Sequence, residues 1–192
     1  MAAQSVYIIP GWSEGAGQTR KLAACLINNG FTQSKKVEDA DILITHSAGC
    51  YFAAEAGKAK LVMLINPSYG LGGAGAGLGQ VNDTLFGAPR QIRQWGFINW
   101  LQMRSWNAYY LLSQPHRSLK ILKYIKSDPV SLPGAEKIIF LDNDSDRDHT
   151  SAVEKVRAAH KNVVYIPHPG LHEDCWINPQ PYVDLLHKEY NK

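Results

Sequence analysis

Asp41-Ile42-Leu43-Ile44-Thr45-His46-Ser47-Ala48-Gly49 is the stretch that decides how this chain folds. Residues 41–45 are a short, continuously apolar, β-branched run, the pattern of a strand buried on both faces of a parallel sheet. An Ala-rich, helix-length segment, residues 49–58, follows at once. A serine at so tight a strand-to-helix turn is held in a strained backbone conformation. Its hydroxyl then projects from the carboxyl edge of the sheet. The Ala48 N–H lies at the helix N-terminus, where it can face a developing oxyanion. An ordinary helix N-cap uses the same residue type, so the rest of the chain has to discriminate.

Working outward, four more runs of this kind appear: residues 6–9 (VYII), 61–65 (LVMLI), 137–141 (KIIFL) and 162–166 (NVVYI). Helix-length segments lie between them at 18–28, 150–160 and 181–190, the first ending before Gly30, a C-cap glycine. Strand–helix alternation implies βαβ units with right-handed crossovers. The ten residues 31–40 leave room for a short strand but not for a crossover helix. The expectation is a doubly wound, mostly parallel α/β sheet of about six strands. Residues 67–136 interrupt it with a Gly run (70–79), an aromatic helical stretch (about 90–113) and a basic amphipathic stretch (115–126). These are read as a lid-like helical insert in a single domain spanning residues 1–192.

The whole-chain numbers agree. The 192 residues, 45% apolar and 19% charged, can bury a core and make one domain. A net charge of +3 is too small for a phosphate footprint, which excludes nucleic acid. Cys25, Cys50 and Cys175 have no CxxC spacing, which speaks against zinc and for a reducing compartment. No signal-like N-terminus and no run of eighteen apolar residues is present. A soluble, cytoplasmic protein with neither membrane nor nucleic-acid partner is the expectation, a protein partner being left unspecified.

With the elbow and its alternating strands in view, the sequence resembles the α/β-hydrolase family, whose nucleophile elbow is Gly-x-Ser-x-Gly followed by an acid and then a histidine. The resemblance spans nearly the whole chain outside the insert. It is similar in size to the small cytoplasmic serine hydrolases of the retinoblastoma-binding-protein and YdeN type. The likeness implies a Ser–Asp–His triad, with neither metal nor organic cofactor. Ser47 stands at the nucleophile position. The family carries its acid in the turn after the strand at 137–141, here Asp142-Asn143-Asp144-Ser145-Asp146. Asp144 fits best by count, with Asp142 and Asp146 as alternatives. The cluster is a poor calcium loop, because Arg147 and Val153 stand where Gly and Glu are required. The family's histidine lies in the loop after the last strand, where His172 fits better than His168. The turn after the first strand, Pro10-Gly11-Trp12, implies Trp12 N–H and Ala48 N–H as oxyanion donors. Gly11, His46, Trp95 and Trp100 are expected to contact substrate.

The resemblance implies cleavage of small carboxylic esters or thioesters through an acyl-enzyme. The alternative is a hydrolase-like fold used for partner binding without turnover. Thr45 replaces the first elbow glycine and crowds the turn. Gly70-Leu71-Gly72-Gly73-Ala74-Gly75 satisfies G-x-G-x-x-G, but no acid follows at the distance a dinucleotide site needs, so it reads as a mobile loop hinging a lid. From residue 95 to 112 aromatics fall on more than one helical face, as in a lid that also lines a pocket. Arg117, Lys120 and Lys123, opposite Leu119, Leu122 and Ile125, read as a solvated basic face. Cys50 reads as a small core residue.

Overall fold

The computed structural model describes residues 4–56, 59–69, 88–127, 130, 132, 134–142 and 150–190. The Gly run at 70–79, Asp144 and Asp146 lie outside these. Six strands form one all-parallel sheet: β1 (Ser5–Ile9), β2 (Thr32–Gln33), β3 (Ile42–His46), β4 (Leu61–Ile65), β5 (Lys137–Asp142) and β6 (Val163–Pro167), in the spatial order β2-β1-β3-β4-β5-β6. The ten-residue link at 31–40 holds the two-residue β2 and a 3₁₀ turn, Val37–Asp39, in place of a crossover helix.

Every residue of β3 and β4 is buried, as their unbroken apolar runs require. The reading of residues 162–166 as buried on both faces is corrected. As β6 this run is the last strand of the sheet, pairs among the described residues only with β5, and is half-buried to exposed throughout. Alternation sorts the strands' side chains onto two cores. On one face Leu43, Val62, Leu64, Ile138 and Phe140 pack against Ile121 and Ile125 of α4 (Pro115–Ser127) and Val153 and Val156 of α5 (Thr150–Ala159). On the other, Ile42, Ile44, Met63, Ile65 and Ile139 meet Leu22 and Leu26 of α1 (Ala16–Asn28), Trp176 of α6 (Asp174–Ile177), and Tyr182, Val183 and Leu186 of α7 (Gln180–Tyr190). Helices on both faces make the sheet doubly wound. Each fully buried Leu, Ile or Met contributes about 1.5–3 kcal/mol.

The strand order reverses at β1, so the carboxyl ends of β1 and β3 flank the switch point where such sheets place ligands. The 3₁₀ helix Ser47–Ala56 leaves β3 directly. It can sit this close because residue 49 is glycine. A Cβ there would stand 2.5 Å from the Pro10 carbonyl oxygen and 2.6 Å from that of Ile9, both main-chain atoms that cannot rotate away. Thr45 is fully buried between Ile9 and Leu64 of the flanking strands, and the elbow forms in spite of its β-branch. Its Oγ1 finds no hydrogen-bond partner among the described residues.

The aromatic stretch is two helices, α2 (Ala88–Trp95) and α3 (Phe97–Ser113), separated at Gly96, whose φ of +81° only glycine adopts freely. Trp106 and Tyr110 of α3 lie over Gly17 and Gly15 at the start of α1, and Tyr110 Oη accepts the Gly17 N–H at 2.9 Å. Part of the aromatic content is thus fixed packing between the insert and α1. The solvated basic face is corrected in part, since Lys120 and Lys123 are exposed but Arg117 is not. Ile121 and Ile125 face the core, Leu119 and Leu122 face outward, and Arg117 turns inward.

Two outcomes follow for stability. Thr45→Val removes an unsatisfied buried hydroxyl at nearly constant volume and is expected to raise the unfolding free energy by about 1 kcal/mol in urea titration. Gly49→Ala forces the elbow helix off the end of β1 and is expected to lower it by about 1–3 kcal/mol.

Candidate active site

Ser47 holds φ at +49°, in the left-handed region that residues other than glycine rarely adopt. It is half-buried, whereas Thr45, His46, Ala48 and Gly49 around it are buried. The Ala48 N–H belongs to the first turn of the elbow helix, where backbone donors have no intrahelical acceptor. Asn66, at the end of the neighbouring β4, also holds a positive φ of +46°. Ser68, two residues on, brackets Ser47: its Oγ lies 3.3 Å from Ser47 Oγ, and its N–H donates to the Ser47 carbonyl at 3.3 Å. Tyr51 Oη fixes the Ser68 carbonyl in turn at 2.8 Å. The nearby Cys50 is a buried core residue, and burial pushes its thiol up to about 12.

Beneath Ser47 lies a buried charge pair that the sequence reading did not anticipate. His46, expected to touch substrate, is 0% exposed and faces inward. Its Nδ1 stands 2.8 Å from Glu14 Oε2, and its Nε2 stands 2.7 Å from the carbonyl oxygen of His172. A carbonyl only accepts, so Nε2 carries a proton. Glu14 Oε2 also accepts the Gly11 N–H at 2.5 Å, and Oε1 accepts the Trp176 indole N–H at 3.1 Å. Burial alone would push the Glu14 carboxyl up. The His46 charge and these donors outweigh it and hold the group below the usual carboxylate range. Burial alone would push His46 down, and Glu14 outweighs it in the same way, so His46 is raised. Both shifts favour the ionised pair, an imidazolium beside a carboxylate. A signal for it was available: a histidine closing an otherwise apolar buried strand must have a partner. Nothing in the sequence named Glu14 as that partner.

The pair joins three loops. Through Gly11 it sets the turn after β1. A Cβ on Gly11 would meet Ser47 Cβ at 3.0 Å and His46 O at 3.1 Å, which places this turn directly against Ser47. Through the His172 carbonyl, which also accepts from Asn66 Nδ2 at 2.9 Å, it anchors the loop after β6. Through Trp176 it reaches α6. The half-buried His172 has its ring centroid 4.7 Å from that of His46. His168 instead packs its ring on Tyr182 at 5.2 Å, and its N–H closes onto the Asp142 carbonyl at 2.8 Å. Asp142 Oδ2 accepts from Tyr165 Oη at 3.1 Å.

The insert braces the same loops. Arg117 Nη1 and Nη2 donate to the carbonyls of Glu14 at 2.7 Å and Pro10 at 2.5 Å, and Ser118 Oγ accepts the Trp12 indole N–H at 2.9 Å. Arg104 of α3 pairs with Glu173, next to His172, at 2.7 Å, and Asn107 Nδ2 donates to Glu173 Oε1 at 3.0 Å. Burial pushes Glu173 up, and Arg104 offsets part of that. Trp95 is buried, its indole N–H reaching Asp174 Oδ1 at 3.3 Å. Trp100 is half-buried and stacks on Phe97 at 5.9 Å.

No protein-family model matches the sequence, and a search of the curated proteins finds no relative. Solved structures do match in fold. The NocB thioesterase domain from the nocardicin cluster is 14% identical, with a TM-score of 0.59 over 100% of this chain and 95% of its own. A tomato methylketone synthase I variant is 12% identical, with a TM-score of 0.59 over 100% and 99%. A carboxylesterase structure from the thaumarchaeon Nitrososphaera gargenis is 10% identical, with a TM-score of 0.58 over 98% and 90%.

The charge pair yields a pH test with a defined sign. Glu14, lowered, contributes stability above its ordinary 4.5 and loses it as pH falls through its folded value. His46, raised, contributes below its ordinary 6.5 and loses it as pH rises through its folded value. Glu14→Ala is expected to cost about 3–5 kcal/mol, by stranding a buried imidazolium. The gap from wild type should be widest between about pH 4.5 and 6.5, by urea unfolding across pH. These alignments share a fold at low identity; with the sheet topology and the elbow they show that the chain has the fold of the α/β hydrolases.

Proposed function

We propose that this chain is a serine hydrolase that cleaves small carboxylic esters or thioesters through an acyl-enzyme. The observation that carries the reading is Ser47. It is a half-buried serine strained at φ +49° on a strand-to-helix turn, and the loop bearing His172 is tied by its main chain to the residue before it. Strain of this kind marks functional sites. The thioesterase and carboxylesterase among the structural neighbours support the chemistry. Within the fold, the small sheet resembles the retinoblastoma-binding-protein and YdeN type of hydrolase. Residues 67–136 are an insert within one domain, and the free thiols of Cys25, Cys50 and Cys175 fit a cytoplasmic setting.

In this reading Ser47 Oγ attacks the acyl carbon while His172 takes its proton. The carbonyl oxygen becomes an oxyanion held by the N–H groups of Ala48 and Trp12, each such donor supplying on the order of 100–1000-fold. His172 then returns the proton to the leaving alcohol or thiol. Water deacylates the serine by the same path. Asp144, after β5, orients the imidazole and balances its charge. Glu14 and His46 take no proton from substrate; they hold the His172 main chain and the Gly11 turn.

A fluorophosphonate probe tests this. Wild type is expected to be labelled and Ser47→Ala not. Ser47→Ala and His172→Ala are each expected to lose kcat on a p-nitrophenyl ester by on the order of 10⁶-fold. A folded wild-type protein that is neither labelled nor acylated would assign the fold to partner binding instead.

A further inference from the structure

Helix α3 turns its one charged residue, Arg104, inward. A surface helix buries its apolar stripe and shows charge to water. In α3 the polar side chains Arg104 and Asn107 point inward to Glu173, and Asn107 Oδ1 also accepts from Gln18 Nε2. The outward side carries Phe97, Ile98, Leu101, Tyr109 and Leu112, and none of its exposed residues is charged. Ile98 is 79% exposed and Leu112 81%. The next helix, α4, adds Leu119, 68% exposed, and Leu122. Eight of the ten exposed large apolar side chains among the described residues lie between Phe97 and Leu122, so they are clustered rather than scattered.

The charge around this patch has one sign. From Ala88 to Ser127 the sequence holds seven Lys and Arg and no Asp or Glu. The other thirteen cations face all seventeen acids. The modest net +3 therefore divides into +7 on three helices and −4 on the rest. Arg104 and Arg117 are spent on internal contacts. Arg90 and Arg93 on α2, and Lys120 and Lys123 on α4, stand exposed on either side of α3 in sequence.

We propose that the α2–α4 face docks on an anionic lipid bilayer, with the α3 side chains entering the headgroup–acyl boundary and the flanking cations meeting the lipid phosphates. Apolar insertion with basic flanks is the chemistry of interfacial helices. A second copy is the poorer occupant, because a two-fold contact would set the exposed Arg90, Arg93, Lys120 and Lys123 of one copy against those of the other with no exposed acid on these helices to offset them. No helix among the described residues is long and apolar enough to cross a membrane, so this is surface docking. It reverses the expectation of no membrane partner, which rested on the lack of a signal-like N-terminus and of an eighteen-residue apolar run. It is independent of the catalytic reading.

The test is co-sedimentation of the full chain with vesicles of phosphatidylcholine, with and without phosphatidylserine. Binding is expected only with phosphatidylserine and should weaken as salt rises. Ile98→Glu/Leu112→Glu, folded by circular dichroism, is expected to lose at least about tenfold in partitioning, since two buried apolar side chains become charged. Arg93→Gln/Lys123→Gln is expected to lose about fivefold per cation removed. Ile98→Ser/Leu112→Ser replaces the first variant if that one misfolds. The proposal is overturned if wild type ignores both vesicles, or if wild type and the Ile98/Leu112 variant bind alike. A dimer in light scattering that the same variant abolishes, without vesicle binding, would assign the face to a second copy.

Discussion

One buried ion pair, Glu14 with His46, holds the candidate site together. Its two side chains are almost wholly removed from water and receive main-chain or side-chain contacts from the turn after β1, the loop after β6 and helix α6. A buried pair is weak evidence for net stability, because desolvation offsets much of the attraction. Its value here is geometric. The donors around Glu14 and the acceptor at His46 Nε2 hold the Gly11 turn against Ser47 and tie the His172 loop to the residue before it. Apolar residues of the same volume would pack but would not fix the register of three loops.

Most of the fold was legible because buried parallel strands write themselves as continuous apolar runs. The runs at 6–9, 41–45, 61–65 and 137–141 needed only the period and the flanking turns. The elbow was legible for the same reason, a serine between an apolar run and an Ala-rich segment. β6 was misjudged because an apolar run does not say whether its strand sits at the centre or the edge of a sheet. Glu14 was not legible, since a lone acid in a loop carries no period and its partner lies 32 positions away. Arg117 was assigned to a solvated face by helical spacing, but spacing cannot tell which stripe faces the protein when a basic side chain has buried carbonyls within reach.

The insert shows the limit of amphipathicity as a guide. Aromatics on several faces of residues 95–112 suggested a lid with two apolar sides, and α3 does use two. Trp106 and Tyr110 press onto the glycines that open α1, while Ile98 and Leu112 face outward. The polar residues that would ordinarily mark the solvent side are the ones consumed in bracing Glu173. A helix that spends its charge inward is left with an uncharged and largely apolar surface to present.

The anchor on residue 172 is its carbonyl oxygen, taken by His46 Nε2 and Asn66 Nδ2. Every amino acid supplies that atom. The architecture of the loop is thereby separated from the identity of the side chain it displays, so the imidazole can be exchanged for another group while the scaffold keeps its shape. A fold built in this way can change its reaction without having to relearn how to hold its loops.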